Sequence, residues 1–204
     1  MSITLDRRLI AEDHLQAANS VAATAAGHLN SVAKGSCKGG EWTGWFDFPA
    51  KGGFGLAEEI MGFRAGIEAF YDTIVVCGIG GSYLGTRAVH EVFGSPYLLG
   101  SAIDPMSSRL IPIVYAGHNL SESGLVELLE YLDGREPLIN VISKSGTTTE
   151  PSVAFRVLRE YMERRYPVEV ANRIVATTDP KKGALRELAD ANGYKTFPVP
   201  EDIG

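Results

Sequence analysis

Five hydroxyl side chains stand within the seven residues from Ser143 to Thr149, in the stretch NVISKSGTTTEPSVAF. An apolar run precedes them, and Pro151 follows at a position typical of a first helical turn. The first backbone N–H groups of a helix are unpaired and lie at the positive end of its dipole, so a helix start attracts anions. Capping a helix needs one hydroxyl, whereas phosphate oxygens accept several hydrogen bonds. The five hydroxyls therefore predict a site for a small phosphate ester.

A second loop that could approach a ligand is GIGGSYLG, residues 78–85. Its glycines allow a tight turn and a close approach of the backbone, and Ser82 opens the following helix. The dinucleotide fingerprint fails because Tyr83 stands where its last glycine is required, and no Gly-Lys-Ser/Thr follows to make a Walker A loop. By itself this loop fits a structural strand-to-helix turn and a ligand loop equally well.

Both loops follow short apolar runs that are typical of buried parallel strands. From residue 73 onward such runs alternate with helical patterns, which indicates βαβ units and helices on both faces of the sheet. The runs are TIVVC, RLIPIVY, PLINVI, NRIVATT and YKTFPV. The predicted fold is α/β, a three-layer αβα sandwich around a five-stranded parallel sheet.

Two prolines predict the strand order. Pro112 and Pro198 fall in the second and fifth runs, and proline lacks a ladder donor, so both runs belong at sheet edges. The flavodoxin-like order 2-1-3-4-5 places those two strands at the edges. Strands one and three are then neighbours, and ligands bind beyond their carboxyl ends. The two loops should therefore arrive at the same crevice.

An arm precedes the predicted sheet. Residues 3 to about 33 show the spacing of one Ala-rich helix, residues 34–55 are rich in glycine and aromatic residues, and residues 56–70 return to helical spacing. We expect residues 1–55 to form a helical arm packed on the phosphate-ester-binding sheet domain of residues 56–204. The arm's aromatic rings fit this packing, with an aromatic binding site as the alternative; they are Trp42, Trp45, Phe46 and Phe48. The longest apparent loop runs from Gly94 to Arg109.

Composition excludes several classes of function. A net charge of −6 and a pI of about 5.3 disfavour a nucleic-acid partner. No apolar stretch is long enough for a signal peptide or a membrane span, so no membrane association is expected. Cys37 and Cys77 lie far apart without a CxxC pattern, as is usual in a cytosolic chain. The prediction is a cytoplasmic protein.

Motifs for metal or nucleophilic chemistry do not occur in the sequence. There is no HExxH, no Cys/His cluster with zinc spacing and no GxSxG, so no metal or cofactor is predicted. Glu150 is the one carboxylate beside the hydroxyl loop, and it could be a dipole partner in the first helical turn or an acid near the ligand. His118 follows the second strand, in a turn leading to the next helix.

VVCGIGGSYLGTRAV and NVISKSGTTTEPSVAFRVLREYM closely resemble the sugar-phosphate-binding (SIS) domain of bacterial glucose-6-phosphate isomerases. The resemblance extends over about residues 73–204. It implies an aldose–ketose isomerase that interconverts glucose 6-phosphate and fructose 6-phosphate through an enediolate, without metal or cofactor. It also implies that an acid at Glu150 helps to orient the ring-opening histidine. The implied phosphosugar contacts are Gly81, Ser82, Ser143, Lys144, Ser145, Gly146, Thr147 and Thr148.

The resemblance stops short of the catalytic groups. The sequence ends in PEDIG, which looks like the start of the family's glycine–arginine signature. The family's arginine, proton-moving glutamate, ring-opening histidine and late lysine match no residue here. We therefore expect the amino-terminal half of an isomerase that is homodimeric as a whole, with no catalytic residue in this chain and with sugar-phosphate binding but no turnover. The alternatives are a non-catalytic phosphosugar-sensing module and, disfavoured by both failed fingerprints, a nucleotide-binding fold.

Overall fold

A computed structural model describes residues 6, 8–67, 69–93 and 111–203 of the 204-residue chain. The helices are α1 (Glu12–Ala33), α2 (Phe54–Ile67), α3 (Gly81–Phe93), α4 (Glu122–Leu132), α5 (Thr149–Arg165) and α6 (Ala184–Asn192). The strands are β1 (Thr73–Cys77), β2 (Ile113–Ala116), β3 (Pro137–Ile142), β4 (Ile174–Thr178) and β5 (Lys195–Pro198). Among the described residues no helix is long and apolar enough to cross a membrane. The predicted loop from Gly94 to Arg109 lies outside the described residues.

The five strands form one parallel sheet in the order β2-β1-β3-β4-β5, which confirms the predicted topology. Both prolines lie at the edges, as expected from their missing N–H. Pro198 ends β5, and Pro112 directly precedes β2 and accepts a hydrogen bond through its carbonyl from the Ile74 N–H at 2.9 Å.

Alternate residues of the strands face two different helical layers. One sheet face carries side chains such as Val75, Ile139 and Ile174, which share a buried core with apolar residues of α4, α5 and α6. On the other face Tyr115 of β2 meets Tyr83 of α3 edge-on, with ring centroids 5.2 Å apart. Phe197 of β5 meets Phe63 of α2 in the same way at 5.6 Å. The three-layer αβα prediction is confirmed.

The described residues divide into two compact units, one of residues up to Ala57 with 201–203, the other of residues 58–200. In the first unit the Gly44 N–H donates to the Asp202 carbonyl at 3.0 Å, and Thr43 pairs with Ile203 in an isolated antiparallel bridge. A Cβ at Gly44 would lie 2.2 Å from Cγ of Asp202, so a larger residue there would displace the Asp202 carboxylate. The packing of the arm on the sheet domain stays a prediction.

The predicted start of the first helix at residue 3 was wrong. Helix α1 begins at Glu12, because Ala11 has an extended backbone with φ −63° and ψ 146°. Upstream, the Asp6 carboxylate accepts a hydrogen bond from the Arg8 backbone N–H at 3.1 Å and pairs with the Arg8 guanidinium. This local pairing occupies the Arg8 N–H and the Asp6 side chain upstream of the helix. Residues 3–5 and 7 lie outside the described part of the chain.

Candidate functional site

The two predicted ligand loops leave the same edge of the sheet. Strands β1 and β3 pair in parallel with Cys77 opposite Val141, so the loop beginning at Gly78 and the loop beginning at Ser143 emerge side by side. This is the crevice at which open parallel sheets bind ligands.

The start of helix α5 packs against the ends of β1 and β2. The Cys77 thiol donates to the Pro151 carbonyl at 3.5 Å. Gly117 has a φ of +73°, and a Cβ there would lie 2.8 Å from Cα of Pro151. Burial raises the pKa of the Cys77 thiol to about 12, so this side chain is a neutral packing group. The positive end of α5 is thereby held beside the crevice.

Two hydroxyls of the loop bind its own backbone, and a third contacts one of them. Ser143, only 7% exposed, accepts a hydrogen bond from the Gly146 N–H at 3.1 Å. Ser145 accepts from the Thr147 N–H at 3.2 Å, and the hydroxyl oxygens of Ser145 and Thr147 lie 2.9 Å apart. A hydroxyl that accepts still has its hydrogen to donate. The loop is therefore ordered internally and keeps donors for a ligand.

Capping does not account for the other two hydroxyls. Thr148 is the N-cap residue of α5, but its side chain makes no capping hydrogen bond. Thr148 and Thr149 are exposed, and neither hydroxyl has a partner within the described part of the chain. Both lie at the helix start, where N–H groups are also unpaired. This geometry fits the binding of an anion.

Contacts with the start of α6 brace the hydroxyl loop from one side. Gly146 has a φ of +74°, and a Cβ there would lie 2.2 Å from the backbone nitrogen of Leu185. The Ser145 carbonyl accepts a hydrogen bond from the Ala184 N–H at 3.1 Å. Gly183 also approaches closely, because a Cβ there would lie 2.8 Å from the Ser145 carbonyl oxygen.

The loop after β4 also holds the hydroxyl loop in place. The Lys144 carbonyl accepts from the Thr178 hydroxyl at 3.2 Å and from the Asp179 N–H at 3.3 Å. The Asp179 carboxylate accepts from the backbone N–H groups of Lys181 and Lys182 at 2.8 and 3.0 Å. The Lys181 N–H, with a smaller contribution from the Lys182 N–H, lowers the pKa of the Asp179 carboxyl.

The sequence analysis did not predict that residues 178–184 contact the hydroxyl loop. The signal in the sequence is weak, because an Asp-Pro pair followed by Gly183 predicts only a turn.

The Gly-rich loop also needs its glycines. A Cβ at Gly78 would lie 2.7 Å from the Ser82 carbonyl oxygen, and Gly80 has a φ of +58°. Gly81 is exposed at the first position of α3, and Ser82 is half-buried with a hydroxyl that has no partner among the described residues. A donor is therefore available at the start of this second helix as well.

His118 and Glu150 flank the two loops. The His118 ring stacks on Tyr83, with centroids 4.7 Å apart and planes 10° from parallel, and its Nδ1 is buried without a partner among the described residues. Glu150 is half-buried in the first turn of α5. His118 thus packs beside the residue that follows Ser82, and Glu150 lies on the helix that follows the hydroxyl loop.

No family model matches the chain. A curated relative from Clostridium perfringens, named glucose-6-phosphate isomerase, is 45% identical over 176 residues, which cover 86% of this chain and 39% of the relative. A relative of the same name from Acetivibrio thermocellus is 46% identical over 168 residues, covering 81% of this chain and 37% of the relative. The chain therefore spans less than half of the length of these curated relatives.

Two solved structures share the fold. A hypothetical protein from Thermus thermophilus superposes with a TM-score of 0.80 at 26% identity, covering 100% of this chain and 45% of that one. A glucose-6-phosphate isomerase from Chlamydia trachomatis superposes with a TM-score of 0.56 at 28% identity, covering 73% of this chain and 26% of that one.

Proposed function

The chain is homologous to the glucose-6-phosphate isomerases over most of its length, and we propose that it is the sugar-phosphate-binding half of such an enzyme. The reaction is the interconversion of glucose 6-phosphate and fructose 6-phosphate. The names of the relatives support this reaction. The donors described at the crevice support the binding of its substrates.

The observation that carries the proposal is the set of hydroxyl donors without partners at the starts of α5 and α3. Thr148 stands at the N-cap without capping, and Thr149 and Ser82 also have hydroxyls without partners in the described chain. These hydroxyls and the unpaired N–H groups of the helix start suit the oxygens of a phosphate monoester. The residues proposed to contact the phosphosugar are Gly81, Ser82, Ser143, Lys144, Ser145, Gly146, Thr147 and Thr148.

In the proposed mechanism this half anchors the substrate through its phosphate. Binding energy gained at a group that does not react holds the reacting carbons in place. After ring opening, a base removes a proton from one of C1 and C2 and returns it to the other through an enediolate. No residue of this chain is assigned to that proton transfer, and Glu150 is proposed as a positioning residue. No metal or cofactor has a part in this mechanism.

The wider organisation is also proposed. Residues 56–204 are the SIS domain and residues 1–55 its amino-terminal arm. The whole enzyme is a cytoplasmic homodimer without nucleic-acid or membrane partners. The acidic charge and the cysteine usage support these assignments.

A titration with fructose 6-phosphate followed by backbone-amide NMR tests the proposal. Hydrogen bonds to charged groups are worth about 1.5–3 kcal/mol each, and ordering and desolvation offset much of their sum. We therefore expect a Kd on the order of 0.1–1 mM. Saturable shifts should appear at residues 80–82 and 143–149, and fructose without a phosphate should cause none.

Substitutions at Thr148 and Ser145 test where the phosphate group binds. Thr148→Val removes a hydroxyl that has no protein partner, so it should weaken binding by about tenfold or more without unfolding the loop. Ser145→Ala should also weaken it. Ser20→Ala is the matched control, because its hydroxyl donates only to the Ala17 carbonyl within α1. Unchanged affinity in Thr148→Val and Ser145→Ala would contradict the assignment of the hydroxyl loop.

A further inference from the structure

A groove of about 290 Å³ lies between α5 and α6 on the sheet face opposite α3. Its floor is apolar, formed by Val141, Phe155, Leu185 and Leu188. Most of these side chains also belong to or pack on the buried core, so the floor is rigid. The volume is near the lower limit of ligand pockets in general, which restricts an occupant to a small molecule.

One wall of the groove carries positive charge. Ser152, Arg156 and Arg159 line it from α5, at the spacing that places side chains on one face of a helix. Arg159 pairs with Glu163 at 3.1 Å. Arg156 is exposed and has neither an ion pair nor a hydrogen bond to any described residue. A cation without a partner thus stands above an apolar floor.

We propose that this groove is a second binding site, which takes a small monoanion with a compact apolar body, of the arylacetate class. A carboxylate can pair with the planar guanidinium of Arg156 through two parallel hydrogen bonds. The ring then covers the floor formed by Phe155 and Leu188. A sugar phosphate fits this groove poorly, because its hydroxyls would lose water against a floor without partners.

The groove adjoins the hydroxyl loop and shares only Ser143 and Gly146 with the proposed phosphosugar contacts. Ser143 and Gly146 contribute to its wall, while its other lining residues lie on β3, α5 and α6. The Ser152 hydroxyl, which lines the groove, donates to the Thr148 carbonyl at 2.6 Å. The donors proposed for phosphate at Thr148 and Ser82 do not line the groove. The inference therefore does not depend on the proposed isomerase function.

Titration of the 204-residue chain with phenylacetate, followed by amide NMR, tests the site. We expect saturable shifts at residues 152–159 and 184–188, with a Kd on the order of 1 mM. Phenylacetamide, a neutral molecule of nearly the same shape, should bind at least about tenfold more weakly because it lacks the charge for Arg156.

Arg156→Gln should weaken phenylacetate binding by about tenfold. Arg164→Gln is the matched control, because Arg164 is exposed on the same helix and pairs with Glu160 away from the groove. Equal affinity in Arg156→Gln and the parent chain would overturn the proposal, as would the absence of saturable shifts. Shifts confined to residues 80–82 and 147–149 and abolished by fructose 6-phosphate would place phenylacetate in the crevice and would also overturn it.

Discussion

Gly146 shows how one missing side chain shapes the candidate site. Its positive φ of +74° is a conformation that L-residues with a Cβ rarely adopt, and its Cα packs on the backbone of Leu185. The glycine therefore lets the hydroxyl loop turn and lets it lie against α6. Both constraints act on the same residue, between two segments that are distant in sequence.

Gly146→Ala and Gly193→Ala separate these two constraints. Gly193 also has a positive φ, +68°, but a Cβ there meets nothing within 4 Å. We expect Gly193→Ala to lower the free energy of unfolding by about 1–2 kcal/mol from backbone strain alone. Gly146→Ala should lower the free energy of unfolding by about 1–3 kcal/mol more than Gly193→Ala does, because the added Cβ would lie 2.2 Å from the Leu185 backbone nitrogen.

Urea unfolding of both glycine variants measures the difference. Gly146→Ala should also lose binding of fructose 6-phosphate, whereas Gly193→Ala should keep it. Equal destabilisation by the two substitutions would show that the contact with α6 does not constrain the loop.

Helices α4 and α5 begin in different ways. Helix α4 has a capping serine, since the Ser121 hydroxyl accepts a hydrogen bond from the Gly124 N–H at 3.2 Å. Helix α5 follows its N-cap residue Thr148 without a side-chain capping hydrogen bond, although it is longer and carries the buried residues Leu158 and Met162. Its stability comes from packing, so its start does not depend on a side-chain cap.

Paired alanine substitutions should show this difference between the helices. Ser121→Ala should lower the free energy of unfolding by about 1 kcal/mol through loss of the cap, and Thr148→Ala by clearly less. The affinity for fructose 6-phosphate should fall in Thr148→Ala and stay unchanged in Ser121→Ala. Thermal unfolding measures the two losses of stability, and the NMR titration measures the two affinities. A larger loss of stability in Thr148→Ala would mean that its hydroxyl caps α5 after all.

The charge of the whole molecule opposes its proposed ligand. A chain of net charge −6 repels a phosphate ester at long range. Binding must therefore come from short-range donors and from the dipole at the start of α5, which act within the crevice. Salt screens the long-range repulsion strongly and short contacts within a crevice much less, so added salt should not abolish binding.

The 204-residue chain is expected to bind fructose 6-phosphate without isomerising it. The groups that move the proton in the resembled family match no residue of this sequence, so no base is available at C1 and C2. Incubation in D₂O followed by NMR should show no deuterium entering the sugar, whereas a full-length relative such as that of Clostridium perfringens should exchange it. Exchange by the purified chain, prepared from a host without its own isomerase, would contradict this expectation.

Local patterns were sufficient for the sheet and for the position of the crevice. Apolar strand runs indicated a parallel sheet, and Pro112 and Pro198 indicated its edges because a missing N–H cannot be tolerated in a central strand. The predicted start of α1 was wrong, since apolar residues at helical spacing continue upstream of Glu12, where the Asp6 side chain instead pairs with Arg8.

By itself, then, the sequence determined the strand order and the position of the two loops, and it predicted a class of ligand, because each depends on residue types at neighbouring positions. Only the tertiary structure shows which contacts hold the hydroxyl loop in place and that a groove lies beside it. The contact of Gly146 with Leu185, the hydrogen bonds from Thr178 and Asp179 to Lys144, and the groove below Arg156 all join segments that are distant in sequence. Such contacts have no local signature, since they arise only when β3, β4 and their helices pack together.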